Sequence, residues 1–107
     1  MIIGDGVLKK SLHKLIKKHK LEGQVILKGA CSFAEMKLFL NACCGLVLPS
    51  ITKNETFAIV QIEAMSLSKP IINTNLGNGV NWVARSKYEA ITVNPCDEMA
   101  LRGAMQQ

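Results

Sequence analysis

The segment Asn54-Glu55-Thr56-Phe57-Ala58-Ile59-Val60-Gln61-Ile62-Glu63-Ala64-Met65 places two carboxylates eight positions apart, with apolar residues between them. The run Leu46-Val47-Leu48-Pro49 shortly before reads as a strand and its stop. Glu55 then falls at the end of a strand-to-helix loop, and Glu63 about two turns further on. Between them lies a helix N-terminus, whose free N–H groups and positive dipole end favour a phosphate. An ionised carboxylate accepts two donors at once. Two carboxylates flanking an anion site suit a ligand with hydroxyls at both ends and a diphosphate in the middle, and a nucleotide-sugar is such a ligand.

The elements that must position this segment alternate along the chain. Residues 1–4 read as a strand and 6–20 as an amphipathic helix, with Leu8, Leu12, Leu15 and Ile16 as its buried stripe. Gln24 to Lys28 is the next strand. Ser32 and Glu35 stand at capping-box spacing, opening a helix to about Ala42 that buries Phe33, Met36, Phe39 and Leu40. Gly45 to Leu48 is a short apolar strand of the kind buried on both faces of a parallel sheet. A helix over about Phe57 to Leu67 follows, with Ala58, Ile62 and Met65 on one face. Lys69 to Asn73 is a strand, with Pro70 tolerated at its entry. Gly77 and Gly79 make a loop before a short helical piece carrying Trp82 and Val83. Ile91 to Val93 is the last strand, and Asp97 caps a final helix. Such alternation with short connections predicts an α/β, three-layer Rossmann-like domain with a parallel sheet of about five strands. Ligands of such sheets bind at the carboxyl ends of the strands. Glu55, Ala30-Cys31, Asn73-Thr74 and the Gly4-Asp5-Gly6 turn all fall at that edge.

The pattern of Glu55, seven residues, Glu63, then Ala64-Met65 and Lys69-Pro70-Ile71-Ile72 resembles the C-terminal domain of the retaining glycosyltransferases of family 4. Ile2-Ile3-Gly4-Asp5-Gly6, Val47-Leu48-Pro49-Ser50, Asn73 to Val83, and Ile91-Thr92-Val93-Asn94-Pro95 with Asp97-Glu98 are similar to further pieces of that domain, in the same order. The resemblance implies the C-terminal half of a GT-B fold, a UDP-, GDP- or ADP-sugar as donor, and no cofactor or metal. It implies that Glu63 takes hydrogen bonds from the ribose hydroxyls and that Glu55 contacts and orients the transferred sugar. Phe57, Ala58 and Ile59 would offer backbone N–H groups to the diphosphate. Ala30 and Cys31 would meet the nucleobase through the backbone, and Gly4 and Gly6 would form the turn beside the donor. The implied reaction moves a hexose-type sugar to a glycan or lipid-linked acceptor in bacterial surface polysaccharide synthesis.

The chain departs from the family pattern in several places. A glycine usual near Phe57 is replaced by Ala58, which does not readily take a positive φ, so phosphate contact is expected to suffer if the loop needs one. Cys44-Gly45 stands for an Asp-Val, Asn81 for a proline, and Ser86 to Ala90 for a glycine-rich turn. The family's Arg and Lys that neutralise the leaving group belong upstream of Gly4, and the acceptor-binding domain would precede them. The 107 residues are therefore expected to form one N-terminally incomplete donor-binding domain, inactive in isolation. The alternative is a non-catalytic nucleotide-binding or interaction module, a truncated and divergent relic of the fold. Gly4-x-Gly6 also invites a dinucleotide fingerprint, but Lys9 takes the place of the third glycine, so a tight turn is the simpler reading.

Composition bounds these readings. A length of 107 residues with 49% hydrophobic content supports one domain with a modest core. No apolar run approaches the roughly 20 residues of a membrane span. Cys31, Cys43, Cys44 and Cys96 form no C-x-x-C pair and read as buried free thiols in a reducing cytoplasm. The net charge of +5 concentrates in Lys9, Lys10, Lys14, Lys17, Lys18 and Lys20. These residues read as a solvated face or as weak attraction to an anionic membrane surface, where a lipid-linked acceptor resides. Nucleic acid is not an expected partner, because the few aromatics do not interleave with the basic run. The expected setting is the cytoplasm, at the inner face of a membrane.

Overall fold

The computed structural model describes residues 1–107 and divides into two compact units, Met1–Met36 and Lys37–Gln107. In the first unit, strand β1 (Ile2–Ile3) pairs in parallel with β2 (Leu27–Gly29), aligning Ile2 with Leu27 and Ile3 with Gly29. Between them runs helix α1 (Lys9–Lys18). The β1–α1 turn is closed by Asp5, which accepts from the Gly6 N–H at 2.9 Å and from Lys9 Nζ at 2.9 Å. The Gly4 N–H donates to the Gly29 carbonyl at 2.9 Å. Gly4, at φ +131°, occupies backbone space that side chains rarely enter. Helix α2 (Phe33–Ala42) begins here. Its capping box forms as the spacing predicts: the Glu35 N–H donates to Ser32 Oγ at 3.3 Å, and Glu35 Oε2 accepts from the Ser32 N–H at 2.8 Å.

The second unit holds a three-stranded parallel sheet in the order β3 (Leu46–Leu48), β4 (Ile71–Thr74), β5 (Ala90–Val93). Leu46, Val47 and Leu48 register with Ile71, Ile72 and Asn73, and Ile71 to Thr74 with Ala90 to Val93. Helix α3 (Ile59–Ser66) joins β3 to β4, α4 (Gly79–Val83) joins β4 to β5, and α5 (Glu98–Met105) follows β5. Asp97 caps α5, its Oδ1 accepting from the Ala100 N–H at 2.8 Å. Lys69 reaches back to the end of α2, donating to the Asn41 and Cys43 carbonyls at 2.8 Å each. A lysine there satisfies carbonyls the helix leaves unpaired. The central strand β4 is the most buried, with Ile71, Asn73 and Thr74 inside. Ala58, Leu76 and Val80 cluster above it against Leu48.

Five strands form as expected, but they divide into two parallel sheets of two and three rather than one continuous sheet. Helices α1 and α3 are shorter than their apolar patterns suggest, whereas α2 runs to Ala42 as expected. The α1 stripe is not buried: Leu8 and Leu15 are exposed, and Leu12 and Ile16 only half-buried. Phe33 is exposed, because it opens α2 before the helix reaches its core contact at Leu40. On α3 the inward residues are Gln61 and Ala64, whereas Ile62 is exposed and Met65 half-buried. The polar Gln61 took the position that an apolar periodicity assigns to its neighbour. Cys44 and Cys96 are exposed and Cys31 and Cys43 half-buried, all with free thiols, so none is a core thiol.

Candidate functional site

Glu55 lies in the loop from β3 to α3, and Glu63 in the middle of α3, both half-buried. Neither carboxylate meets a hydrogen-bonding or ionic partner within the protein. Half-buried carboxylates left open in this way are ready to accept donors from a ligand. Between them α3 starts later than its sequence suggests, at Ile59, with Ala58 as the preceding cap residue and no side chain capping the turn. The first N–H groups of α3 are therefore available to an anion, reinforced by the helix dipole.

Ala58 adopts φ 51° and ψ 66°, the left-handed region that a residue with a Cβ enters at a cost of roughly 1–2 kcal/mol. The loop thus does need the positive φ that alanine does not readily take. Burial of the methyl against Leu76 and Val80 holds the residue in place, so the loop takes its turn without the glycine. Phe57 lies beside it with its ring 6.3 Å from that of Trp82, tilted by 48°.

The loop between β4 and α4 builds the wall behind the motif. Thr74 Oγ1 donates to the Ser50 carbonyl, fixing the start of the motif loop to the end of β4. Asn78 Oδ1 caps α4 by accepting from the Val80 N–H at 3.1 Å, while its Nδ2 donates to the Glu55 carbonyl at 2.6 Å. Gly79 has no room for a side chain: a Cβ there would meet the Thr56 carbonyl at 2.2 Å. Asn81 stitches its own loop, its Oδ1 accepting from the Leu76 and Gly77 N–H groups at 2.8 and 3.0 Å and its Nδ2 donating to the Thr74 carbonyl at 3.0 Å. The asparagine that stands for a proline thus supplies three bonds that a proline lacks.

Beneath the motif runs a buried amide network. Gln61 Nε2 donates to the Val80 carbonyl at 3.0 Å, and Gln61 Oε1 accepts from Asn73 Nδ2 at 2.9 Å. Asn73 Nδ2 also donates to the Ala84 carbonyl at 3.1 Å, and Asn73 Oδ1 accepts from Thr92 Oγ1 at 2.7 Å. These bonds tie α3 to β4, β5 and α4, fixing the roll of α3 and with it the flank that carries Glu63. Sequence reasoning missed Gln61 and Thr92. The only available signal was the amide of Gln61 inside an otherwise apolar helix stretch.

An open groove of about 450 Å³ lies between α3 and α4, lined by Phe57, Ile62, Met65, Trp82, Val83, Arg85 and Glu89. At about 100° per residue, Ile62 and Met65 centre on a flank of α3 roughly 130° from Glu63. The groove therefore does not contain the Glu63 carboxylate. Arg85, at its rim, is committed to Glu89 at 3.0 Å and lies over the Tyr88 ring. That pairing holds the Glu89 carboxyl below the usual carboxylate range.

The remaining sequence-predicted residues belong to the first unit. Gly4 and Gly6 form the turn after β1, and Ala30 and Cys31 follow β2, so all four lie beyond strand carboxyl ends. Within the second unit the structure brings Glu55, Phe57, Ala58 and Ile59 together at the opening of α3, with Glu63 along the same helix.

All 107 residues match the family model of the glycosyl transferases group 1. The chain belongs to this family. A group 1 glycosyltransferase domain is thus present, with an α/β Rossmann-like fold of parallel sheets. An uncharacterized glycosyltransferase of Methanocaldococcus jannaschii is 40% identical over 99 residues, 90% of this chain and 27% of its own length. The O-antigen chain mannosyltransferase C of Escherichia coli is 25% identical over 107 residues, all of this chain and 29% of the relative. The D-inositol 3-phosphate glycosyltransferase of Streptomyces bingchenggensis is 32% identical over 98 residues, 88% of this chain and 21% of the relative. The crystal structure of Anabaena HepE in complex with UDP shares the fold with a TM-score of 0.83 at 23% identity, covering 97% of this chain and 29% of that one. The chain thus spans less than a third of the length of the relatives it matches.

Proposed function

We infer that this chain is the donor-binding part of a retaining, family 4 glycosyltransferase that transfers a hexose-type sugar from a nucleotide-sugar. The observation that carries this reading is the pair of half-buried carboxylates without protein partners, Glu55 and Glu63, on either side of an uncapped helix start. Glu63 takes the ribose hydroxyls, Glu55 the hydroxyls of the sugar, and the N–H groups of Phe57, Ala58 and Ile59 the diphosphate. No metal or cofactor enters this scheme. The UDP bound by the structural neighbour and the O-antigen role of the Escherichia coli relative support a nucleotide donor and a glycan or lipid-linked acceptor.

The lysines of α1 and of the turn after it support a setting at the cytoplasmic face of an anionic membrane. Lys10, Lys14, Lys17, Lys18 and Lys20 are exposed, and no carboxylate pairs with them. Co-sedimentation with phosphatidylglycerol vesicles that disappears at high salt is the expected outcome, and equal binding to neutral vesicles would overturn it.

Departure of the nucleoside diphosphate needs compensating positive charge, and the acceptor must be held in line. In this chain the arginines are Arg85, paired to Glu89, and Arg102 on α5. The 107 residues on their own are therefore expected to bind donor without turnover. Ligand-detected NMR against UDP, GDP and ADP tests the reading. One nucleotide is expected to bind with a Kd of roughly 1 mM, about 4 kcal/mol, and Glu63→Ala to abolish that binding. Binding that persists in the variant would sink the assignment of Glu63.

A further inference from the structure

We propose that Asn78 is a positioning residue of the donor site, a two-ended tether that sets the height of Glu55 over the start of α3. The proposal rests on the reading of Glu55 as a contact of the transferred sugar. The loop carrying Glu55 is otherwise lightly held. Its first fixed point is the Ser50 carbonyl, bonded by Thr74, and its last is Ala58 at the entry to α3. Ile51, Thr52, Lys53 and Asn54 between them are exposed. Within this span the Glu55 carbonyl receives the Asn78 amide at 2.6 Å. The next residue reinforces the contact, because the Thr56 carbonyl rests on Gly79 where a Cβ would stand at 2.2 Å. Two consecutive residues of one loop thus seat two consecutive residues of the other.

The chemistry requires an amide. Asn78 must accept from the Val80 N–H and donate to the Glu55 carbonyl at the same time, and these two partners fix which end is oxygen and which is nitrogen. Aspartate has the same shape and is an equally good helix cap, but an ionised carboxylate has nothing to donate. Asn78→Asp therefore keeps the start of α4 and sets an acceptor against the Glu55 carbonyl. The substitution separates the tether from the cap in one side chain.

The experiment is ¹⁵N relaxation and ligand-detected NMR on the full 107-residue chain, wild type against Asn78→Asp. The order parameters of Glu55 and Thr56 are expected to fall from about 0.85 to below about 0.6, with those of Val80 to Val83 unchanged. With UDP-glucose and GDP-mannose as probes, the variant is expected to lose the tighter binding of the sugar nucleotide relative to free UDP or GDP, while affinity for the free nucleotide stays within twofold. An unchanged loop overturns the proposal, and so does equal loosening of α4, which would make Asn78 a cap and nothing more. A loosened loop with the sugar-dependent difference intact also overturns it. Absence of nucleotide binding by the wild type is a separate result: it removes the donor reading, while the order parameters still decide the tether. Gly79→Ala is the second variant, expected to displace the same loop from the other contact.

Discussion

Gln61 is fully buried two positions before Glu63, and both its amide oxygen and its amide nitrogen are bonded. Gln61→Leu fills the space but removes two buried bonds, to the Val80 carbonyl, which keeps the Ala84 N–H, and to Asn73 Nδ2, which keeps the Ala84 carbonyl, each worth about 1 kcal/mol. Urea titration should therefore show a loss of about 2 kcal/mol, with nucleotide affinity falling as the roll of α3 relaxes. Thr92→Val removes only the bond to Asn73 Oδ1 and is expected to cost about 1 kcal/mol by the same measurement. The pair changed together should cost less than the sum, since both act on one network. Nothing in the sequence marks these three polar residues as partners, because hydrogen bonds between residues 12 and 19 positions apart leave no periodicity. The two glutamates were legible because their spacing is local to one loop and one helix.

The two kinds of helix start in this chain explain which boundaries were readable. Ser32 and Glu35 announce α2 through a local pair, and the box forms. Bonds from the Ser32 N–H and Oγ, with Lys28 beside it, hold the Glu35 carboxyl below its ordinary range. A lowered carboxylate contributes stability at neutral pH and loses it as pH falls through the lowered value. Acid should therefore fray the first turn of α2, seen in the amide shifts of Phe33 to Met36, and Glu35→Gln should flatten that response. The start of α3 has no such pair, and its boundary was misplaced by two residues because Ala58 turns left-handed. Ala58→Gly relieves that backbone but gives up a buried methyl worth about 0.8 kcal/mol, so its midpoint in urea should barely move. Ala58→Val adds β-branching at positive φ and should cost about 2 kcal/mol or more. Comparable losses in both variants would show that the left-handed turn is not what governs this position.

Across the whole molecule the alternation of strands and helices was legible, because each short apolar run and each turn residue acts over a few neighbours. The division of strands into two sheets was not, since pairing depends on partners distant in sequence. The two units differ in how much they bury: in Met1–Met36 the buried residue is Gly29, whereas β4 buries Ile71, Asn73 and Thr74. Native-state hydrogen exchange should follow, with the β1–β2 amides exchanging at least about 100-fold faster than those of β4. Equal protection would mean that the two units open together. The aromatic pair at the head of α3 has a practical consequence. Trp82 is the sole tryptophan, 75% exposed, and it stands against Phe57 at the end of the motif loop. The chain thus contains its own fluorophore beside the place where a donor diphosphate would settle. Emission colour and acrylamide quenching would follow the loop optically in the unlabelled protein, from the first nucleotide added.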